Sequence, residues 1–250
     1  MTLPDVFLQR PLAHRGLHDR ANGRPENSME AIEAAISSGY GIEIDLQRAS
    51  DGVPMVFHDY DLSRLTDQSG SIALHSSDQL HKIMLSGGKT GIPTLTDVLS
   101  LVAGRVPLLI EIKDQDGAMG PDTGPLEIAT AEALRAYLGP VAVMSFNPHS
   151  MRAFTKAAPD IPIGLTTCSW LAEDWPTVPK SRREQLATLH DVIDVGASFI
   201  SHDVTDLGNP AVTALKGKGM PVLCWTVRSP DQEKQARQIA DNITFEGYAA

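Results

Sequence analysis

PLLIEIK at 107–113, VAVMSF at 141–146 and IPIGLTT at 161–167 decide the fold: three short aliphatic or β-branched runs, separated by sequence with helical patterning. Working outward, the same unit recurs upstream as PLAHRG (11–16) and GIEIDLQ (41–47), and downstream as ASFISHD (197–203), MPVLCWTV (220–227) and NITFEGY (242–248). Helices are predicted in most of the gaps, at about 125–138, 147–158, 180–195, 209–218 and 230–241, the last opening with Pro230 in its first turn. Strands alternating with helices in this way form βαβ units around a parallel sheet. Eight such strands in 250 residues predict an α/β chain closed into a (β/α)8 TIM barrel, read as a single domain over 1–250. An open doubly wound sheet is the alternative that alternation alone leaves.

The composition agrees with a folded enzyme. Apolar residues make up 42% of the chain and charged residues only 21%, which supplies a core and excludes a disordered chain. Acids outnumber bases by 31 to 21, so the net charge of −10 repels polyanions and argues against a nucleic-acid partner. The first residues, MTLPDVFLQRPLAHRG, have no basic, apolar leader pattern, and no apolar run reaches the roughly 18 residues of a membrane span. The reading is a soluble cytoplasmic protein without stable membrane insertion. Cys168 and Cys224 lack any metal or disulfide spacing and are expected to be packing residues.

Three local features refine the barrel. Asn27 is expected to cap the first helix, with Glu30 in a capping-box-like position, Met29, Ile32 and Ile36 on the apolar face and Gly39 ending it. EIDLQRASDGVPMVFHD (43–59) is too short for a parallel crossover, so it must be a hairpin. Centring its turn on Asp51-Gly52 sets Gln47 opposite Met55 or Val56 and Asp45 opposite His58; a three-residue loop would shift this register by one. Residues 60–100 break the alternation, and a small insert is expected there, closing with a short helix from Thr94 to about Ala103.

Period-2 alternation puts Glu43 and Asp45 on one face of their strand, and Glu111 and Lys113 on one face of theirs. Three carboxylates at strand ends repel one another unless a hard cation with oxygen ligands, Mg²⁺ or Ca²⁺, offsets them; simple pairing of Glu111 and Lys113 with neighbouring charges is the alternative. His14 ends the first strand and His58 ends the hairpin, so both are candidates for proton transfer over the same mouth. Arg15 offers a fork of donors for phosphate, provided that the strand ends or twists there.

HRG (14–16), PENS (25–28), EIDLQ (43–47), DGVPMVFHD (51–59), EIK (111–113), SF (145–146) and WTV (225–227), in this order, resemble the glycerophosphodiester phosphodiesterase family over roughly 12–228. The resemblance implies a TIM barrel with an insert after the hairpin, hydrolysing a small-molecule glycerophosphodiester to glycerol 3-phosphate and an alcohol. It also implies that His14 and His58 are the acid/base pair, that Glu43, Asp45 and Glu111 hold a divalent cation, and that Arg15 and Lys113 contact phosphate. The substrate's glycerol hydroxyl is then the implied nucleophile, through a cyclic phosphate, with water as the direct nucleophile the alternative. Glu26 and Asn27 are read as structural.

Two departures stand out. ITFEG (243–247) replaces the family's closing I-T-D-R-P, with three residues after it, too few for a final helix. Glu246 in it, with Trp225, is a candidate for the substrate pocket, where an anionic group would favour a cationic leaving group; a solvated terminal glutamate is the alternative reading. LHDRANGR after HRG adds His18 and Asp19, read as solvated loop residues. The rival readings are a phosphodiesterase of the same scaffold acting on a lysophospholipid or sugar diester, and a barrel that only binds phosphorylated ligands.

Overall fold

A computed structural model describes all 250 residues. The eight expected parallel strands are present as β1 (Leu12–Ala13), β2 (Gly41–Arg48), β4 (Leu108–Ile112), β5 (Val141–Ser145), β6 (Ile163–Thr167), β7 (Phe199–Asp203), β8 (Val222–Val227) and β9 (Asn242–Phe245). β3 (Pro54–Val56) is the antiparallel return arm of the hairpin. β1 pairs with both β2 and β9, which closes the sheet into a barrel and decides against the open alternative.

Alternation along β2 explains its sequence. Ile42, Ile44 and Leu46 point outward into the main core beneath the helices, so Glu43, Asp45 and Gln47 point into the barrel. β4 repeats the arrangement, with Leu108, Ile110 and Ile112 outward and Leu109 and Glu111 inward. The lower interior is filled by Leu12, Leu109, Met144, Phe199 and Leu223. A short helix not anticipated from sequence, α1 (Val6–Gln9), closes that end by inserting Phe7, held by Asn242 Nδ2 donating to the carbonyls of Phe7 and Arg10 at 2.7 and 2.6 Å.

The structure corrects the expected pattern at three points. In α2 (Met29–Ser37) the cap is Ser28, whose hydroxyl accepts from the Ala31 amide, and not Asn27. Asn27 has a left-handed backbone (φ 58°) and turns its amide inward to Asp45, a better use of a buried acceptor than an amide that Ser28 can serve. Glu30 accordingly leaves the capping role and accepts from the Lys89 amide and the Thr90 hydroxyl. Ile32 is buried, Met29 and Ile36 pack beside it, and Gly39 follows the last turn at φ 73°.

The second correction is the hairpin register. Gln47 pairs with Met55, but Leu46 faces Val56, and Asp45 accepts the amide of Phe57 rather than facing His58. Ala49 N–H bonds the Val53 carbonyl around a three-residue loop, and that longer loop slides the arm by one.

Beyond the hairpin, the insert adds α3 (Ser77–Leu80), which was not foreseen, and α4 (Leu95–Val102), capped by Thr94 and Asp97 as expected from Thr94. Met55, Phe57, Leu62, Leu65 and Ile72 form a separate core under it. α5 (Pro125–Leu134) and α6 (Pro148–Ala157) follow their patterns, α5 stopping short of the expected 138. The third correction is the expected 180–195 helix, which splits into α7 (Lys180–Ala187) and α8 (Asp191–Asp194) because Leu189 adopts φ 57° to bury its side chain. α9 (Pro210–Gly217) and α10 (Pro230–Ala236) complete the layer, Ser229 capping Pro230 in its first turn. No helix is long and apolar enough to cross a membrane. Both cysteines are free and buried.

Because Phe7 is fully buried and seals the barrel floor far from the mouth, Phe7→Ala should cost about 3–5 kcal/mol in chemical denaturation. A loss below about 1 kcal/mol would mean that α1 is not part of the cooperative unit.

Candidate active site

The mouth is assembled first by HRG. β1 ends at Ala13, and Arg15 and Gly16 take φ 55° and 78°, a turn that swings the Arg15 side chain to the same side as His14. Glycine is required at 16, since a Cβ would also lie 2.9 Å from the Ala31 backbone of α2. The Arg15 amide donates to Glu43 Oε2 at 3.0 Å, and its guanidinium reaches Glu26 at 2.6 Å and Asp45 at 3.2 Å.

Parallel pairing of β2 with β4 sets Asp45 beside Glu111. Glu43, Asp45 and Glu111 are all buried, and one oxygen from each falls in a group no more than 4.8 Å across. Lys113 leans over this group, 2.7 Å from Asp45 and 2.5 Å from Glu111. Burial pushes the Glu43 carboxyl well above its ordinary 4.5, and the neighbouring Asp45 and Glu111 charges push it further. Burial opposes ionisation of Asp45 too, but Lys113, His58 and Arg15 outweigh it and hold its carboxyl well below 3.8.

An outer ring supports these groups. Glu26 accepts from Arg15 and, at 2.8 Å, from Arg64 of the insert. Arg64 also grips Asp59 at 2.6 Å, and Asp59 lies 2.6 Å from His58 Nδ1. Gln47 Nε2 donates to the His58 carbonyl at 3.0 Å, tying the end of the hairpin to β2. Five carboxylates, Glu26, Glu43, Asp45, Asp59 and Glu111, thus face three permanent cations, Arg15, Arg64 and Lys113. With every acid ionised, as ligation of a cation by Glu43 would require, the ensemble is two positive charges short. All-oxygen donors, close spacing and that deficit fit one hard divalent cation.

His14 sits across the mouth with Nδ1 2.6 Å from Glu246 Oε2. Burial lowers its pKa to about 4, so the ring is neutral at physiological pH despite the carboxylate beside it. His14, His58, Arg15, Lys113 and the three buried acids line one cavity of about 550 Å³. Trp225 lines it too, beside Phe146 and Trp175. Glu246 does not: its oxygens are taken by His14, by His18 at 3.4 Å and by Arg228 at 2.7 Å. His18 is therefore drawn from the expected solvated loop, whereas Asp19 stays at the surface with Arg24. Sequence reasoning passed over Glu26, Asn27, Asp59 and Arg64 as parts of the site. PENS and the acid after His58 carried a signal for the first three, and nothing local marks Arg64.

The family model described as the glycerophosphoryl diester phosphodiesterase family matches residues 14–242. A glycerophosphodiester phosphodiesterase of Caldanaerobacter subterraneus is 30% identical over 93% of this chain and 91% of its own. Human glycerophosphodiester phosphodiesterase 1 is 25% identical over 89% and 72%. Among solved structures, an Oleispira antarctica phosphodiesterase in complex with the product sn-glycerol-3-phosphate superposes with a TM-score of 0.77 at 24% identity, covering 96% of this chain and 93% of that one.

A carboxyl raised by burial, as at Glu43, stabilises the fold below 4.5 and loses that contribution as pH climbs through its raised value. Asp45 and His14 have lowered values and act oppositely, losing stability as pH falls below 3.8 and from 6.5 toward about 4 respectively. In metal-free buffer the melting temperature of Glu43→Gln should therefore exceed that of wild type by a margin that widens from acid to alkaline pH. A margin that narrows over that range would contradict the charge crowding.

Proposed function

Since this chain belongs to the glycerophosphoryl diester phosphodiesterase family, we propose that it hydrolyses a small glycerophosphodiester to glycerol 3-phosphate and an alcohol by histidine acid/base catalysis. One observation carries the reading: two histidines, two cations and a buried triad of acids line a single cavity. A binding protein has no use for a proton donor opposite a proton acceptor. The product held by the Oleispira antarctica enzyme is the half-product assigned here.

Glu43, Asp45 and Glu111 would hold the divalent cation, Mg²⁺ or Ca²⁺, which supplies Lewis-acid neutralisation of phosphate oxygens. Arg15 and Lys113 bind and orient the phosphate, with Arg15 held taut by Glu26. One histidine removes the proton of the attacking hydroxyl, of the substrate's glycerol or of water; the other returns a proton to the alkoxide as the phosphorus–oxygen bond breaks. Each imidazole has a carboxylate on Nδ1, Glu246 for His14 and Asp59 for His58, which leaves both Nε2 atoms for the substrate. Two free buried thiols suit a reducing compartment, and we assign the enzyme to the cytoplasm, with residues 1–250 as one functional unit.

The aromatic wall favours one class of leaving alcohol. Phe146 lies 4.8 Å from Trp175 and 5.5 Å from Trp225, centroid to centroid, and Met119 and Met144 extend the apolar surface. Such a wall suits a quaternary ammonium head group, which the ring faces attract and a neutral polyol lacks. Trp175→Ala should lower kcat/KM for glycerophosphocholine by about tenfold while altering that for glycerophosphoinositol little. An equal fall for both would remove the wall from substrate selection.

Turnover of glycerophosphocholine should vanish in excess EDTA and return with Mg²⁺ or Ca²⁺, and either ion should raise the wild-type melting temperature by mass action. Full activity in EDTA would sink the metal assignment. His14→Ala and His58→Ala should each cost about 10²-fold or more, the double variant little worse than the worse single. A p-nitrophenolate leaving group needs no protonation and should rescue only one of the two. Equal rescue would contradict separate roles.

A further inference from the structure

The two features in which the chain departs from the family pattern, His18 in the loop after HRG and Glu246 in ITFEG, meet at a single carboxylate oxygen. Glu246 Oε2 lies 2.6 Å from His14 Nδ1 and 3.4 Å from His18 Nε2. Its other oxygen accepts from Arg228 Nε at 2.7 Å. We propose that Glu246 is the positioning residue of His14: it accepts the Nδ1 proton, fixes that tautomer, and presents an unprotonated Nε2 to the hydroxyl that must be deprotonated.

The geometry dictates this choice. A neutral imidazole carries one N–H, and a contact of 2.6 Å with an ionised carboxylate requires that proton to be on Nδ1. Nε2, on the opposite edge of a ring that lines the cavity, makes no hydrogen bond to the protein and is left as the acceptor. Glu246 is itself prevented from taking the proton. Partial burial would favour its neutral form, but the bonds from His14 and His18 and the Arg228 charge hold it far below the usual carboxylate range. Arg228 is 62% exposed and His18 only 24%, so the outer oxygen is anchored at the surface and the inner one is sheltered toward His14. The other charges facing His14 are Arg15, which opposes a proton on the ring, and Asp45, which favours one.

This assignment rests on the proton-transfer role given to His14 above and makes that residue the general base. Glu246→Ala should lower kcat for glycerophosphocholine by about 10- to 100-fold with KM within about twofold, because the ring loses its orientation while the phosphate contacts remain. Glu246→Gln keeps an acceptor for the Nδ1 proton and should recover most of that loss, which a merely structural ion pair with Arg228 would not predict. Nitrogen-15 NMR of the histidine rings reads the tautomer directly: His14 should carry its proton on Nδ1 in wild type and in Glu246→Gln, and shift toward Nε2 in Glu246→Ala. Unchanged kcat in Glu246→Ala, or a His14 ring that keeps its Nδ1 proton there, would overturn the proposal. The NMR comparison needs no turnover, so a wild type inactive on every diester would refute the proposed function and leave the tautomer assignment to be judged separately. Should Glu246→Ala fail to fold, a loss of kcat of about 10- to 100-fold in Glu246→Gln relative to wild type, or loss of the His14 Nδ1 proton in that variant, would be the overturning result.

Discussion

Asp45 and Lys113 form the contact on which the rest of the mouth depends. Their 2.7 Å ion pair sits inside a barrel where Asp45 is already beside Glu111 and near Glu43, and all three acids are buried. Burying ionised carboxylates costs several kcal/mol each unless they are paired and hydrogen-bonded. Lys113 spans two of the three, Arg15 serves Asp45 through its guanidinium and Glu43 through its amide, and Asn27 gives Asp45 a further donor at 2.9 Å. Neutralisation still falls short. That shortfall is of the kind that a hard divalent cation bound by oxygen ligands would offset.

The surrounding structure reads as a series of devices for holding this cluster open. Arg15 could fold flat onto the acids, but Glu26 holds its outer edge, and Arg64 holds Glu26 in turn. Arg64 comes from the insert, whose separate small core under the hairpin gives it a fixed base. The same arginine fixes Asp59 and, through it, His58. The insert therefore connects Arg15 to one of the two histidines through Glu26, Arg64 and Asp59, and its place after the hairpin has a mechanical reason.

Both histidines have the same local design, a carboxylate on Nδ1 that is itself held by arginine. Their environments differ. His58 stands at the end of a hairpin on the insert side, whereas His14 is embedded among β1, the last strand and the loop after HRG, where burial keeps it neutral. Such different surroundings for two chemically identical side chains would suit the reaction proposed above, in which one histidine accepts a proton and the other supplies it.

How much of this was legible in the sequence follows from the range of each interaction. Eight strands, the inward set of Glu43, Asp45 and Glu111, the Thr94 cap and the Pro230 helix start are written in period-2 alternation, capping chemistry and proline geometry, all of which act within a few residues. The hairpin was also legible, but its register was not, because a one-residue change in the loop is decided by how Met55 and Phe57 pack into the insert core. Leu189 broke a helix for the same reason, burial outweighing local preference. Asn27 could cap a helix or bond Asp45, and only the closeness of β2 to α2 selects the second. Glu246 and His14 stand 232 residues apart, and Arg64 and Glu26 stand 38 apart. Barrel closure through β1 and β9 makes the first pair neighbours, docking of the insert makes the second, and no local propensity encodes contacts that exist only after the chain ends have met.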